Sequence, residues 1–109
     1  MTQSHYRVVI QPVAKAEVAE AAIWYEQQEH GLGREFLRAF RAGTAVLRRN
    51  PFQYQPVDEE TRRLLLRRFP YSVFFEVHDR DVVVLACVHQ ARDPARWQQR
   101  ITRRPRSAE

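Results

Sequence analysis

Apolar residues recur at helical spacing twice in the first half of the chain, then at strand spacing in the second. Tyr6, Val8, Val9 and Ile10 make a short apolar run that predicts a first strand over residues 6–10, ended by Pro12. Over residues 15–28, Val18, Ala21, Ala22 and Tyr25 fall on one helix face, with Glu17, Glu20 and Glu26 largely outside it. Gly31-Leu32-Gly33 then reads as a C-cap followed by a turn. Residues 34–49 repeat the helical period, with Phe36, Phe40, Gly43 and Leu47 on one stripe and Leu37 beside it. Asn50-Pro51 stops that helix, because a residue before proline avoids the helical region. Two helices joined so tightly form an antiparallel hairpin.

Residues 52–61, with Pro56 and the acidic run Asp58-Glu59-Glu60, read as a loop. Residues 64–68 are an apolar run laced with arginines, a second strand broken by Phe69-Pro70-Tyr71. Residues 72–78 alternate, placing Val73, Phe75 and Val77 on one face and Ser72, Phe74, Glu76 and His78 on the other. Asp79-Arg80-Asp81 has hairpin length, and residues 82–88 contain no polar side chain, which predicts a central strand covered on both faces. Asp93-Pro94 starts a short helix carrying Trp97 and Ile101 on one side, and residues 103–109 form a basic, proline-interrupted, frayed tail. The order predicts one α+β domain over residues 1–109. An N-terminal strand and an antiparallel helical hairpin pack on a four-stranded, mainly antiparallel sheet, with a short C-terminal helix. Strands two to four meander, and the first strand joins an edge or crosses to a central place.

Composition changes this picture little. Cys87 is the one cysteine and lies in the most apolar strand, so it reads as a buried thiol with no intrachain disulfide, which suits a reducing cytoplasm. No signal-like start and no apolar run of about twenty residues is present, so neither secretion nor membrane spanning is expected. Charge adds more. Residues 1–61 hold seven basic and eight acidic side chains and sum to −1, whereas residues 62–109 hold eleven and five and sum to +6. Nearly all of the excess is arginine, in part a matter of genome composition. A basic sheet end and tail suit nucleic acid or an acidic protein.

Pro12, Ala22-Ile23-Trp24-Tyr25-Glu26, Gly31-Leu32-Gly33, Asn50-Pro51, the stretch from Arg63 to Phe69-Pro70-Tyr71, and His89-Gln90-Ala91-Arg92-Asp93-Pro94 with Trp97 follow one another in a distinctive order. In that order and spacing the chain resembles the RelE/ParE toxin superfamily, over roughly residues 6–100, and its ParE-like side in particular, the plasmid stabilisation proteins. The resemblance implies a toxin of a type II toxin–antitoxin module, held inactive by a cognate, acidic, partly disordered antitoxin. ParE-like members poison DNA gyrase; RelE-like members cut mRNA in the ribosomal A site without metal. The expectation is therefore a gyrase-directed toxin. A ribosome-dependent mRNA endonuclease and a non-toxic, antitoxin-binding family member are the alternatives.

Metal-free RNA cleavage needs a base for the 2′-hydroxyl, an acid for the leaving oxygen and cations for the phosphorane. Arg67, Arg68, His89 and Arg92 are the candidates for those roles, with Tyr71 able to stack on a base. The pattern departs from RelE-like enzymes, which carry lysines or a glutamate around the second strand. Here Lys15 is the only lysine, and Gln90, not tyrosine, follows His89. As partner-binding residues the sequence offers Arg62, Arg63, Arg67, Arg68 and Arg92, a same-sign cluster, together with the aromatics Trp97 and Trp24. Each has a plainer reading: His89 closing a buried strand, Arg92 paired with Asp93, Trp97 as a lid on the sheet, and Trp24 packed under the Gly31–Gly33 turn. Trp24 and Tyr25 are adjacent, so only one of them points at the sheet. No phosphate-binding glycine loop, paired Cys/His spacing or nucleophile turn is present, and His5, His30, His78 and His89 are scattered; no cofactor or metal is expected. Cys87 and His89 share a strand face, but a Cys–His nucleophile needs an exposed, activated thiolate.

Overall fold

The structure, a computed structural model, describes residues 5–91. The expected helix from Asp93, the tail over residues 103–109, and Arg92 and Trp97 lie outside the described residues. Within them the order is β1 (Arg7–Ile10), α1 (Pro12–Gln28), α2 (Leu32–Arg49), a 3-10 turn (Pro51–Gln53), β2 (Thr61–Leu65), β3 (Tyr71–His78) and β4 (Asp81–His89). The strands form one sheet in the order β1-β4-β3-β2. β2, β3 and β4 meander antiparallel, and β1 lies parallel to β4 at the edge. The α+β architecture is as the hydrophobic pattern predicts, with one parallel pair in a mostly antiparallel sheet.

Both helices start earlier than the apolar stripes suggest. Pro12 ends β1 and also opens α1, where the missing amide hydrogen has no helical partner to lose. The glycine pair does not cap α1, whose C-cap is Glu29 in an extended conformation. Gly31 (φ 90°) stands instead immediately before α2. There the Glu26 carboxylate reaches back from α1 and accepts the N–H groups of Gly31 and Gly33, each at 3.0 Å. These are two of the N–H groups that a helix start leaves without an intrahelical acceptor. The Gly31 N–H above all, and the Gly33 N–H after it, hold the Glu26 carboxyl below the usual carboxylate range. Gly33 itself is a contact point, because a Cβ there would stand 2.5 Å from the Ala22 carbonyl oxygen of α1.

β2 runs over Thr61–Leu65, where a strand over residues 64–68 was expected. Two local features move it. Asp58 Oδ1 accepts the N–H groups of Glu60 and Thr61 and turns the acidic loop directly into the strand. At the other end Leu66 N–H bonds the Tyr71 carbonyl across a turn in which Arg68 takes the left-handed region, φ 71°. Arginine is an uncommon residue there. Phe69 anchors the turn by burying its ring among Tyr25 (4.9 Å between ring centroids) and Phe36 (5.3 Å).

Helices and sheet meet over Ala14, Val18, Ala21, Phe36, Phe40 and Leu47 on one side, and Val73, Phe75, Val82, Val84 and Cys87 on the other. The register of β3 with β4 steps from Phe74↔Ala86 to Phe75↔Val84, which makes Leu85 a bulged residue. The bulge inverts the alternation of β4. Val82 and Val84 face the helices before it and Cys87 after it, while Ala86 and Val88 join Phe74 in a second buried cluster. Ser72, Phe74 and Glu76 on the other face of β3 are as buried as Val73 and Phe75. β1 ends at Ile10, opposite Val84, so among the described residues no strand pairs with the far half of β4 on that edge. Glu17 of α1 meets it: its Oε1 accepts the Cys87 N–H at 2.8 Å. No helix of the described residues is long and apolar enough to cross a membrane.

Candidate functional site

Strand geometry decides where the arginines point. Arg62 and Leu64 share the helix-facing side of β2, and Arg63 and Leu65 share the opposite side. Arg62 is engaged within the fold: its guanidinium donates to the Tyr54 carbonyl at 2.7 Å and lies 5.1 Å from the Phe52 ring centre. It fastens the 3-10 segment to the strand. Arg63 is exposed on the other face. Arg68 pairs with Glu35 of α2 at 2.7 Å, with its guanidinium 5.5 Å from the Phe69 ring centre. Arg67 and Arg68 meet Arg38 of α2 at the rim of an open groove of about 650 Å³ between α2 and β2. Its walls are Ala39, Ala42, Gly43 and Val46 on one side and Leu64, Leu65 and Leu66 on the other. The structure thus brings Arg67 and Arg68 together with an arginine the sequence reading did not single out, and sets Arg62 and Arg63 on opposite faces. Arg38 was missed because it lies on the polar side of its helix, adjacent to β2 only after folding.

His89 closes β4 opposite Tyr71, their rings edge to face at 5.1 Å. The Ala91 N–H donates to His89 Nδ1 at 3.0 Å, and the Gln90 N–H to the Pro70 carbonyl at 2.8 Å. From the first of these bonds the neutral ring is assigned its proton on Nε2. In that state Nε2 is a donor, not the base that would take a 2′-hydroxyl proton. Aromatic contacts run on from Tyr71 through Phe36 and Tyr25 to Trp24, which lies edge-on to Tyr25 at 5.1 Å and is 53% exposed. Of the adjacent pair, Tyr25 is the one that joins the core. Burial pushes its phenol above the usual range.

Two further groups bear on chemistry. Cys87 is a buried free thiol, pushed up to about 12 by burial first and by the nearby Glu17 second. It is no thiolate nucleophile near neutral pH. On the face away from the helices, Glu60, Glu76 and His78 place their ligand atoms within 4.8 Å of one another, a donor set able to gather round a metal ion. Glu76 is buried, receives the Thr61 hydroxyl at 3.2 Å and meets His78 Nε2 at 2.8 Å. Sequence reading counted His78 only among scattered histidines; its i, i+2 spacing from Glu76 on one strand was the available signal.

A helical hairpin on a mixed sheet, with an arginine-rimmed open groove and exposed aromatics, defines a small basic α+β protein suited to meeting another macromolecule. The description "ParE toxin of type II toxin–antitoxin system, parDE" matches residues 8–94, well over half of the chain. The chain belongs to this family of toxins. Among solved structures it is similar to a chain from "Chromosomal ParDE TA system from P. aeruginosa", with a TM-score of 0.66 at 16% identity over 80% of this chain and 98% of that one. At that identity the likeness speaks for the fold. Comparison with curated proteins finds no match.

Proposed function

We propose that the protein acts as a ParE-like toxin that inhibits DNA gyrase in the bacterial cytoplasm and is neutralised by a cognate acidic antitoxin. Membership of the ParE toxin family over residues 8–94 carries this reading. The solved ParDE assembly supports an antitoxin as the first partner. Binding, rather than hydrolysis, is favoured by what the candidate catalytic side chains do: Arg68 is tied to Glu35, and His89 Nδ1 is taken by a backbone N–H. Arg63 and Arg67, both exposed, are the proposed partner contacts on the described surface, with Trp24 as the aromatic anchor. Arg62 serves the fold first, through Tyr54 and Phe52, and Arg92 and Trp97 remain proposed contacts from sequence alone. The test is to add the purified protein to a translating cell-free extract and map mRNA 5′ ends. Intact message is expected. Codon-phased cuts would overturn the gyrase reading and make His89 and the arginines catalytic.

A further inference from the structure

α2 carries its charge on one side. Arg34, Arg38, Arg41, Arg48 and Arg49 are all exposed, and at helical spacing they fall within an arc of roughly 100°, opposite the stripe that buries Phe36, Phe40 and Leu47. Five of the seven basic side chains of residues 1–61 stand on this ridge, which the near-neutral sum of that half conceals. The helix holds one acid, Glu35, which lies to the side of the ridge and is paired with Arg68. Among the described residues none of the five guanidiniums takes part in an ion pair. Helix stability does not account for the arrangement. Arg48 and Arg49 suit the negative end of the helix dipole, but Arg34 stands in the first turn, at the positive end, and makes a like-charge i, i+4 pair with Arg38.

From Arg34 to Arg48 the ridge runs about 21 Å at 1.5 Å per residue, the length of about six base pairs of duplex DNA. We propose that the arginine ridge of α2 binds the phosphate backbone of duplex DNA. An acidic protein surface fits the ridge less well. Interfaces between proteins centre on buried apolar or aromatic anchors, and here only Ala45 stands among the arginines. A row of phosphates needs no such anchor. Guanidinium groups fork onto phosphate oxygens, and each phosphate neutralised releases counterions from the duplex. Phosphate contacts carry no sequence information directly, so the binding is independent of sequence. It needs neither gyrase nor an antitoxin, and so stands apart from the function proposed above.

The experiment follows binding of the full chain to a labelled random-sequence duplex of about 20 base pairs by fluorescence anisotropy, between about 50 and 200 mM salt. A slope of log K against log salt concentration of about −4 is expected, for four to five phosphates neutralised. Arg34→Ala with Arg41→Ala should reduce the steepness of that slope by about two and weaken binding at least tenfold, at a melting temperature no lower than the parent's. Lys15→Ala with Arg80→Ala removes the same charge from exposed places off the ridge and should change affinity by less than about threefold. Absence of binding by the parent at the lowest salt would overturn the proposal. Equal losses in the two double variants would overturn it too, since they would mark a diffuse effect of net charge. So would polyglutamate of matched charge displacing the duplex as readily as unlabelled duplex does, which would assign the ridge to an acidic protein.

Discussion

Replacing Gly33 by alanine tests the close approach of α1 and α2. The added Cβ would stand 2.5 Å from the Ala22 carbonyl oxygen and 3.1 Å from two atoms of Glu26. The first contact is with helix backbone, which cannot rotate away. α2 must therefore retreat from α1 by roughly half an ångström or more, and the Glu26–Gly33 bond that caps α2 stretches with it. Overpacking of this kind costs about 1–3 kcal/mol. Alanine's helical preference over glycine, up to about 1 kcal/mol in a helix interior, offsets less of it in the first turn. A net loss of about 2 kcal/mol is expected, or roughly 10 °C in Tm for a chain of this size. The companion is Gly43→Ala, where the nearest atom is Leu64 Cδ2 at 2.8 Å, the movable end of a side chain. There the helical gain comes close to balancing the clash. Urea unfolding of both variants gives the comparison. A Gly33→Ala protein as stable as the parent, or less affected than Gly43→Ala, would refute the close approach of the two helices.

The other predictions concern titratable groups. With Cys87 at about 12, native protein at pH 8 should leave a disulfide reagent almost untouched, since only about 1 in 10⁴ thiols is ionised, and should react fully once unfolded; prompt native reaction would contradict its burial. Glu17→Ala removes the acceptor from the Cys87 N–H and should destabilise by about 1–3 kcal/mol in denaturant titration, with Glu17→Gln recovering part of the loss. Because the Glu26 carboxyl is lowered in the folded state, its contribution is present above the ordinary carboxylate pKa and is lost as pH falls through the lower folded value. The Tm gap between parent and Glu26→Gln should therefore be widest near pH 6 and close on acidification; a gap that widens in acid would reverse the assignment.

The period of the apolar residues carried the architecture, because a buried stripe must match the geometry of the element that buries it. Phe36, Phe40 and Leu47 at helical spacing and the run from Val82 to Val88, save a half-buried Val83, lie where that rule puts them. What stayed hidden was set by groups that periodicity does not register. β2 was displaced by a carboxylate turn at Asp58 and a left-handed Arg68, neither of which alters the hydrophobic pattern. The bulge at Leu85 is silent in a strand whose residues are all apolar, since either face accepts any of them. The arginines were legible as a charge surplus but not as a surface. Only the pairing of β2 with β3 separates Arg62 from Arg63, and only folding brings Arg38 to Arg67.

A supercoiling assay with purified gyrase, relaxed plasmid, ATP and the full chain tests gyrase inhibition most directly. The protein is expected to block supercoiling, Arg63→Glu with Arg67→Glu to raise the concentration required at least tenfold, and preincubation with the neighbouring gene product to restore activity. Undiminished supercoiling with the parental protein in molar excess over gyrase would contradict gyrase inhibition.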